Sequence, residues 1–298
     1  MTLTVLDAGL LTTVQDRGRF GYAHLGVPRA GALDAQAAAL AGRLVGNPPD
    51  AAALETTMTG VAFRAGRALT LAVTGAPADV WVDGRAVPFA EPVSVRAGAR
   101  VVVGAAHHGV RSYVAIAGGV AVPPVLGSRS TDTLAGVGPP QVRTGDLLPL
   151  GRPTAPPAPL DVPGTLPSRA RLRLWPGPRA EWITESARRD LVSASYVVAP
   201  DSDRIGLRLL GPPLERAVGG ELASEGMVLG AVQVPPSGLP VVLLHDHPVT
   251  GGYPVVAVVD PRDLGWCAQA RPGEPITFTG ALAAPEGEAT LRPRAPRG

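Results

Sequence analysis

The sequence contains no lysine: all 27 of its basic residues are arginine. That absence excludes Schiff-base catalysis, a pyridoxal-phosphate lysine, a Walker A lysine and a covalently attached biotin. Cysteine is nearly absent as well. Cys267 stands alone among 298 residues, so no internal disulfide can form and a reducing compartment is expected. Aromatic residues are 4% and charged residues 17%, balancing to a net charge of +2 with no basic run to track nucleic-acid phosphates. Gly and Pro interrupt every apolar stretch before it reaches membrane-spanning length, and residues 1–11 lack the basic start and apolar core of a signal peptide. The expectation is a cytoplasmic protein with neither a nucleic-acid nor a membrane partner.

What is abundant is Gly (37), Pro (33) and hydrophobic residues (45%), a balance that excludes wholesale disorder. Without a Gly-X-Y period, such punctuation cuts a chain into many short elements and favours a mainly β fold with a few helices. Strand patterns fall at 2–5, 69–73, 80–82, 100–103 and 112–116, then at 171–174, 228–234, 241–244, 255–259 and 276–278. Leu33, Ala37, Leu40 and Leu44 mark one helix face, stopped by Gly46 and Asn47, and a second helix is expected over 179–190 after Gly177 and Pro178. The Pro-rich stretch 151–167 reads as a linker, dividing the chain into 1–165 and 166–298, and the tail beyond Ala283 is expected to fray.

An internal repeat supports that division. Asp16, Arg19, Gly21, Gly26 and Pro28 recur at the same spacing as Asp201, Arg204, Gly206, Gly211 and Pro213. Glu55 and Gly60 match Glu225 and Gly230, Val73-Thr74-Gly75 matches Val249-Thr250-Gly251, and Arg96 with Gly98 matches Arg271 with Gly273, all in the same order. Two similar β units facing each other across a cleft follow from a duplication.

Several residues suit chemistry at such a cleft. Asp16, Arg19, Asp203 and Arg204 stand beside glycines, where a small anion can meet backbone amides and a guanidinium together; an Asp–Arg pair stapling its own loop suits the pattern equally. If the halves face each other, Arg19 and Arg204 converge on one anionic substrate or phosphate. Glu55 and Glu225 offer paired carboxylates for acid–base work or for orienting a metal–nucleotide, or are ordinary surface acids. Ser128, Arg129, Ser130 and Thr131 can form an oxyanion or phosphate nest, or a hydrogen-bonded turn. His245-Asp246-His247 ends a strand. Alternate residues share a face there, yet no third ligand stands nearby, so no metal site is assigned and Asp246 is favoured as the functional residue. There is no G-x-S-x-G elbow and no Rossmann fingerprint.

Longer strings carry a resemblance. GLLTTVQD ending at Asp16, GVP at 26–28, GALD ending at Asp34, LVGN ending at Asn47, LGSRST ending at Thr131, SDRIG from Ser202, SEG from Ser224, QVPP from Gln233 and VTGGYP ending at Pro254 resemble the allophanate hydrolase subunit 2 family. That family includes the C subunits of 5-oxoprolinases, KipA-type proteins and part of the carboxyltransferase domain of urea carboxylase. The resemblance implies two cyclophilin-like β-barrel units. It also implies a component that works with a KipI-like partner and a LamB/YcsF-like partner, opening 5-oxoproline to glutamate with ATP and Mg²⁺. The alternatives are a carboxyltransferase component of a biotin-dependent urea carboxylase/allophanate hydrolase-type system, with biotin arriving on another chain, and a KipA-like regulatory binder. The candidate site combines the repeat with the matched strings. Arg19, Arg204, Glu55, Glu225 and Asp246 are the catalytic candidates. Asp16, Asp203, Ser128, Arg129, Ser130, Thr131, Gln233, Thr250 and Tyr253 are the substrate-binding ones.

Overall fold

A computed structural model describes residues 2–158, 171–220, 222–280 and 282. The expected boundary at 165/166 and the tail beyond Ala283 lie outside the described residues. The N-terminal half consists of two antiparallel sheets. In the six-stranded sheet the neighbours run Leu147–Pro149, Thr2–Asp7, Val61–Ala65, Arg100–Ala106, Ala78–Val82, Arg85–Val87. In the five-stranded sheet they run Leu11–Gln15, Ala53–Thr57, Arg111–Ile116, Leu69–Gly75, Val93–Val95. Alternate side chains of both meet in one core, with Leu3, Val5, Phe63 and Val101 facing Val14, Leu54, Leu71, Val114 and Ile116.

The second face of the five-stranded sheet is covered too. Helix Ala35–Leu44 lays Ala41 and Leu44 over Ala53, Ala72, Tyr113 and Ala115. Arg111–Ile116 is therefore buried at every position, and Ala53–Thr57 at all but the last. Arg111–Ile116 still reads as a strand from its apolar run, whereas Ala53–Thr57 has only two apolar residues followed by Glu55, Thr56 and Thr57 and is absent from the sequence-based strand pattern.

The C-terminal half is a closed barrel of seven strands, ordered Arg171–Pro176, Val255–Val259, Ala231–Gln233, Val241–Leu243, Gly206–Leu210, Ser195–Val198, Pro275–Thr279. It closes where Pro275–Thr279 runs parallel to Arg171–Pro176. Leu172, Leu174, Leu207, Leu209, Val232, Val242, Ile276 and Phe278 fill it. Two expected elements come out shorter. Thr184 accepts from the Ala187 amide at 3.2 Å, and this cap starts the helix at Glu185–Ser193, leaving only a 3-10 turn at Ala180–Trp182. Gly230, at φ +83°, turns the chain and confines the strand expected over 228–234 to Ala231–Gln233.

The repeat holds at its first turn and at two later ones, where Gly60 and Gly230 (φ +74° and +83°) and Gly98 and Gly273 (φ +79° and +87°) each lead into a strand, and it fails at other positions. Asp16–Arg19 follows strand Leu11–Gln15 as Asp201–Arg204 follows Ser195–Val198. Glu55, however, lies in a buried sheet strand, whereas Glu225 belongs to a two-residue ribbon, Glu225–Gly226 with Thr250–Gly251. Val73-Thr74-Gly75 and Val249-Thr250-Gly251 likewise fall on unlike elements.

The halves are sewn together by polar groups. Gln269, on helix Leu264–Gln269, accepts the Val110 and Arg111 amides at 2.9 Å each and donates to Asp34 Oδ2 and the Arg111 carbonyl at 3.0 Å each. Arg111 Nη1 returns to the Ala268 carbonyl at 2.6 Å, Arg271 Nε reaches the Gly109 carbonyl at 2.6 Å, and Leu33 of the first half packs into the second core. Replacing Gln269 with Leu strands two buried amides and one carboxylate oxygen. It is expected to lower unfolding free energy by about 2–4 kcal/mol in urea denaturation, and a loss below about 1 kcal/mol would contradict this reading of the junction.

Candidate active site between the two halves

Glu55 and Arg204 meet at the centre of the junction. Arg204 is 1% exposed. Its Nε and Nη2 make a two-pronged pair with Asp246 at 2.9 Å each, Nη2 also reaches the Gly31 carbonyl at 2.8 Å, and Nη1 contacts Glu55 Oε1. Glu55 Oε2 accepts the Leu33 amide at 3.0 Å and the Tyr113 hydroxyl at 2.8 Å, and Arg111 Nε stands 3.6 Å from Oε1. Asp246 Oδ2 additionally accepts the Thr133 amide at 2.9 Å and the Thr133 hydroxyl at 2.7 Å. Two arginines thus face two carboxylates in a neutral, buried group drawn from both halves. Burial opposes the Arg204 charge, but Glu55 and Asp246 overcome it and hold its pKa above the ordinary arginine value. Tyr113 is pushed well above its usual value by burial, then by Glu55 and Asp34, so it remains a phenol that donates.

This geometry corrects the expectation for Arg204. Its donors are taken by Glu55, Asp246 and Gly31, so it is a staple, and its partners come from distant segments instead of its own Asp201 or Asp203. Asp203 accepts the Ile205 and Gly206 amides at 2.7 and 3.0 Å in a local turn, and Asp201 pairs with Arg208 at the surface. The Ser128–Thr131 nest forms, but the anion in it is the protein's own. Asp16 accepts both the Ser128 and Ser130 hydroxyls at 2.6 Å and the Arg129 amide at 2.5 Å. The Arg129 side chain turns to the Val122 carbonyl and lines a shallow pocket with Gly118 and Gly119.

Arg19 is the arginine of the repeat that keeps a donor to spare. It is 2% exposed, donates Nε to the Val125 carbonyl at 3.2 Å and Nη2 to the Ser130 carbonyl, and leaves Nη1 without a partner. Burial lowers its pKa against the opposing fields of Asp132, Asp16 and Asp246. Asp132 faces it: Oδ1 accepts the Leu134 and Ala135 amides at 2.9 and 2.8 Å while Oδ2 is unpaired, and burial, helped by Asp246, raises its pKa. His247 is buried beside Asp246 and Asp132, with Nδ1 2.7 Å from the Pro248 carbonyl, which leaves Nε2 as the basic nitrogen.

The remaining candidates form a separate group. Glu225 pairs with Arg179, Gln233 Nε2 reaches Met227 Sδ at 3.0 Å and the Tyr253 carbonyl at 3.3 Å, and Thr250 is exposed on the ribbon. Among the described residues no hydrogen bond or ion pair joins Glu225, Gln233, Thr250 or Tyr253 to Arg19, Arg204, Glu55 or Asp246. Sequence reasoning missed Asp34, Arg111, Tyr113, Asp132, Thr133 and Gln269. Asp34 ends one matched string and Asp132 directly follows another, whereas nothing in the local sequence marks the others. Cys267 is buried, with its thiol pushed up to about 12 by burial, and is no nucleophile. No helix of the described residues is long and apolar enough to cross a membrane.

Residues 25–280, spanning both halves and the junction, match the family described as carboxyltransferase domain, subdomain A and B. The chain belongs to that carboxyltransferase-domain family. It is 37% identical over 279 residues to the C subunit of the Escherichia coli 5-oxoprolinase, covering 93% of this chain and 90% of the relative. It is 32% identical to the urea amidolyase of Saccharomyces cerevisiae, covering 91% of this chain but 16% of that protein. Among solved structures, the crystal structure of TTHA0988 matches at TM-score 0.84 and 43% identity over 93% of this chain and 55% of its own. The Kluyveromyces lactis urea amidolyase matches at TM-score 0.88 and 30% identity over 94% of this chain and 18% of its own. The carboxyltransferase-domain architecture therefore makes up most of the chain in some relatives and is embedded in longer chains in others.

Two outcomes follow from the buried group. Arg204→Ala leaves the buried Glu55 and Asp246 carboxylates with only Arg111 to balance them, and is expected to reduce unfolding free energy by about 3–5 kcal/mol, visible as a clear fall in melting temperature; an unchanged midpoint would restore Arg204 to a ligand-binding role. His245, buried and facing Arg204, Arg29, Asp246 and His247, has its pKa lowered to about 3, chiefly by burial and then by the two arginines. The unfolded chain protonates this imidazole first, so stability falls as pH drops from about 6.5 toward 3. Between pH 7.5 and 5 the wild type should lose about 2 kcal/mol relative to His245→Asn, measured by urea denaturation at both values, and parallel pH dependences would contradict the assignment.

Proposed function

We propose that this chain is the C subunit of a multi-subunit, ATP-dependent 5-oxoprolinase, which opens 5-oxoproline to L-glutamate in the cytoplasm together with a KipI-like partner and a LamB/YcsF-like partner. The observation that carries the reading is the end-to-end match to a relative named as that component, 93% of this chain against 90% of the other. The junction suits the chemistry. Opening a lactam builds negative charge on the ring oxygen, and Arg19 holds an unpaired, charged donor in a water-poor setting where such a donor is most effective. Asp132, with its unpaired oxygen and raised pKa, and the Nε2 of His247 are groups able to hold or move a proton beside it.

ATP and Mg²⁺ do not fit this chain's own residues. The one phosphate nest it builds among the described residues is filled by Asp16, and no lysine is available to reach a phosphate. Nucleotide binding is therefore assigned to the partner proteins, and no step is routed through ATP. The partners need a docking face. Phe20, Leu25, Val125, Leu126 and Leu134 are exposed apolar side chains on the three segments that carry or contact Arg19 and Asp132, and Arg29 lies 4.1 Å over the Phe20 ring.

A second reading rests on the urea amidolyase matches: a carboxyltransferase component of a urea carboxylase-type system. Lacking lysine, the chain cannot carry the biotin that such chemistry uses, so another chain would have to present it. Co-expression with candidate KipI-like and LamB/YcsF-like partners decides between the two. The assembled complex should release glutamate from 5-oxoproline only when ATP is present, while the isolated chain shows negligible 5-oxoproline-dependent ATP hydrolysis. Turnover by the single chain, or none by the complex, overturns the proposal.

A further inference from the structure

Among the described residues, four buried polar atoms on and around Arg19 and Asp132 have no hydrogen-bond partner: Arg19 Nη1, Gln15 Oε1, Thr131 Oγ1 and Asp132 Oδ2. They cluster along three consecutive residues, 130–132. Gln15 Nε2 donates to the Thr131 carbonyl at 3.0 Å, Arg19 Nη2 donates to the Ser130 carbonyl, and Asp132 follows directly. An orphaned buried polar atom is disfavoured wherever it occurs, so four on one strip point to a polar occupant supplied from outside.

Their chemistry narrows the class of occupant. Arg19 Nη1 offers charged donors, Gln15 Oε1 and Asp132 Oδ2 are acceptors, and the Thr131 hydroxyl is either. A phosphate or free carboxylate would satisfy Arg19 but would meet the oxygens of Gln15 and Asp132. An ammonium group would satisfy those oxygens but would meet Arg19. A group presenting a carbonyl oxygen and an N–H along one edge satisfies both sides. A primary amide or urea presents both on one edge through its NH2, whereas a secondary amide does so only when its bond is cis, which open-chain amides disfavour and a small ring enforces.

We propose that Arg19 and Asp132 read the cis-amide edge of a cyclic amide or cyclic urea, Arg19 Nη1 donating to the ring carbonyl and Asp132 Oδ2 accepting from the ring N–H, with Gln15 and Thr131 completing the site. This rests on the 5-oxoprolinase reading and deepens it, since 5-oxoproline is a lactam with such an edge. Residues 133–138 lie against the strip and are the segment a ligand would displace. Thr133 latches onto Asp246, the Val137 carbonyl accepts the Asp132 amide at 3.0 Å, and Gly138, at φ +97°, lies so close to the Arg19 guanidinium that a Cβ there would overlap Nη2. Glycine at 136 and 138 supplies the positive φ that this cover needs, and Thr133 to Gly136 are exposed.

The test is calorimetric titration of the reconstituted complex, and of the full chain alone, with 5-oxoproline, its N-methyl derivative and 2-imidazolidinone. The wild type should bind each N–H ligand at least tenfold more tightly than the N-methyl compound. Asp132→Asn keeps the oxygen that accepts the Leu134 and Ala135 amides but presents N–H where Oδ2 stood. It should melt near the wild-type temperature and lose the discrimination. Equal wild-type affinity for N–H and N-methyl ligands, discrimination retained by Asp132→Asn, or no binding of any probe would overturn the inference. If Asp132→Asn unfolds instead, Arg19→Lys, which keeps the charge but not the planar fork, must weaken 2-imidazolidinone binding at least tenfold, and unchanged affinity overturns the inference. The two proposals fail separately. A complex that opens 5-oxoproline with the same KM after Asp132→Asn refutes only the cis-amide site. A complex without turnover that still binds 2-imidazolidinone in an Asp132-dependent way refutes only the 5-oxoprolinase assignment.

Discussion

One buried guanidinium sets the terms for the rest of the structure. Arg204 belongs to the C-terminal half, where Asp246 balances its charge, but its Nη1 finds a partner only when Glu55 of the N-terminal half closes on it. A charge removed from water needs such partners, and neither half contains the complete set. Asp246 passes the constraint on by holding Thr133, whose segment covers Arg19 and Asp132. Glu55 passes it to Leu33 and Tyr113, and Tyr113 accepts the Asp34 amide at the start of helix Ala35–Leu44. Correct docking of the halves and correct placement of the unpaired atoms are consequently one condition.

The same logic explains why two similar turns serve different ends. Asp16 and Arg19 follow a strand as Asp201 and Arg204 do, and both arginines are buried near Asp246. In the C-terminal half the guanidinium has carboxylates on two sides and becomes a staple. In the N-terminal half the nearby Asp16 is already occupied by hydrogen bonds from two hydroxyls and two amides, including that of Gly18 at 2.8 Å, so Arg19 is left with backbone carbonyls and an unspent donor. The two turns share their parts, and their surroundings give one guanidinium a full set of partners and leave the other a donor to spare.

Much of this was legible in the sequence. The β-rich class, ten of the twenty strands among the described residues and helix Ala35–Leu44 follow from periodicity and glycine punctuation, and the recurring strings pick out Arg19, Arg204, Glu55 and Asp246, all of which are buried. Strand Ala53–Thr57 escaped because it carries Glu55, Thr56 and Thr57 in place of an apolar run, and helix Leu264–Gln269 escaped because six residues are too few to show a face. Glu225 was misled by its match to Glu55. Spacing within a repeat records ancestry, while burial is decided by what packs above, and only Glu55 acquired a covering layer. Gln269 and Asp132 were invisible for a different reason: their significance lies in partners more than a hundred residues away or in the lack of any partner, and neither leaves a local pattern.

If Arg204 joins the halves into one cooperative unit, that unity is measurable. Trp81 lies in the N-terminal half and Trp266 in the C-terminal half. Urea unfolding followed through each, in single-tryptophan variants, should give coincident transitions when Arg204 is present. With Arg204→Met the two transitions should separate and the earlier midpoint should fall. Coincident transitions at an unchanged midpoint in the Arg204→Met protein would contradict the account.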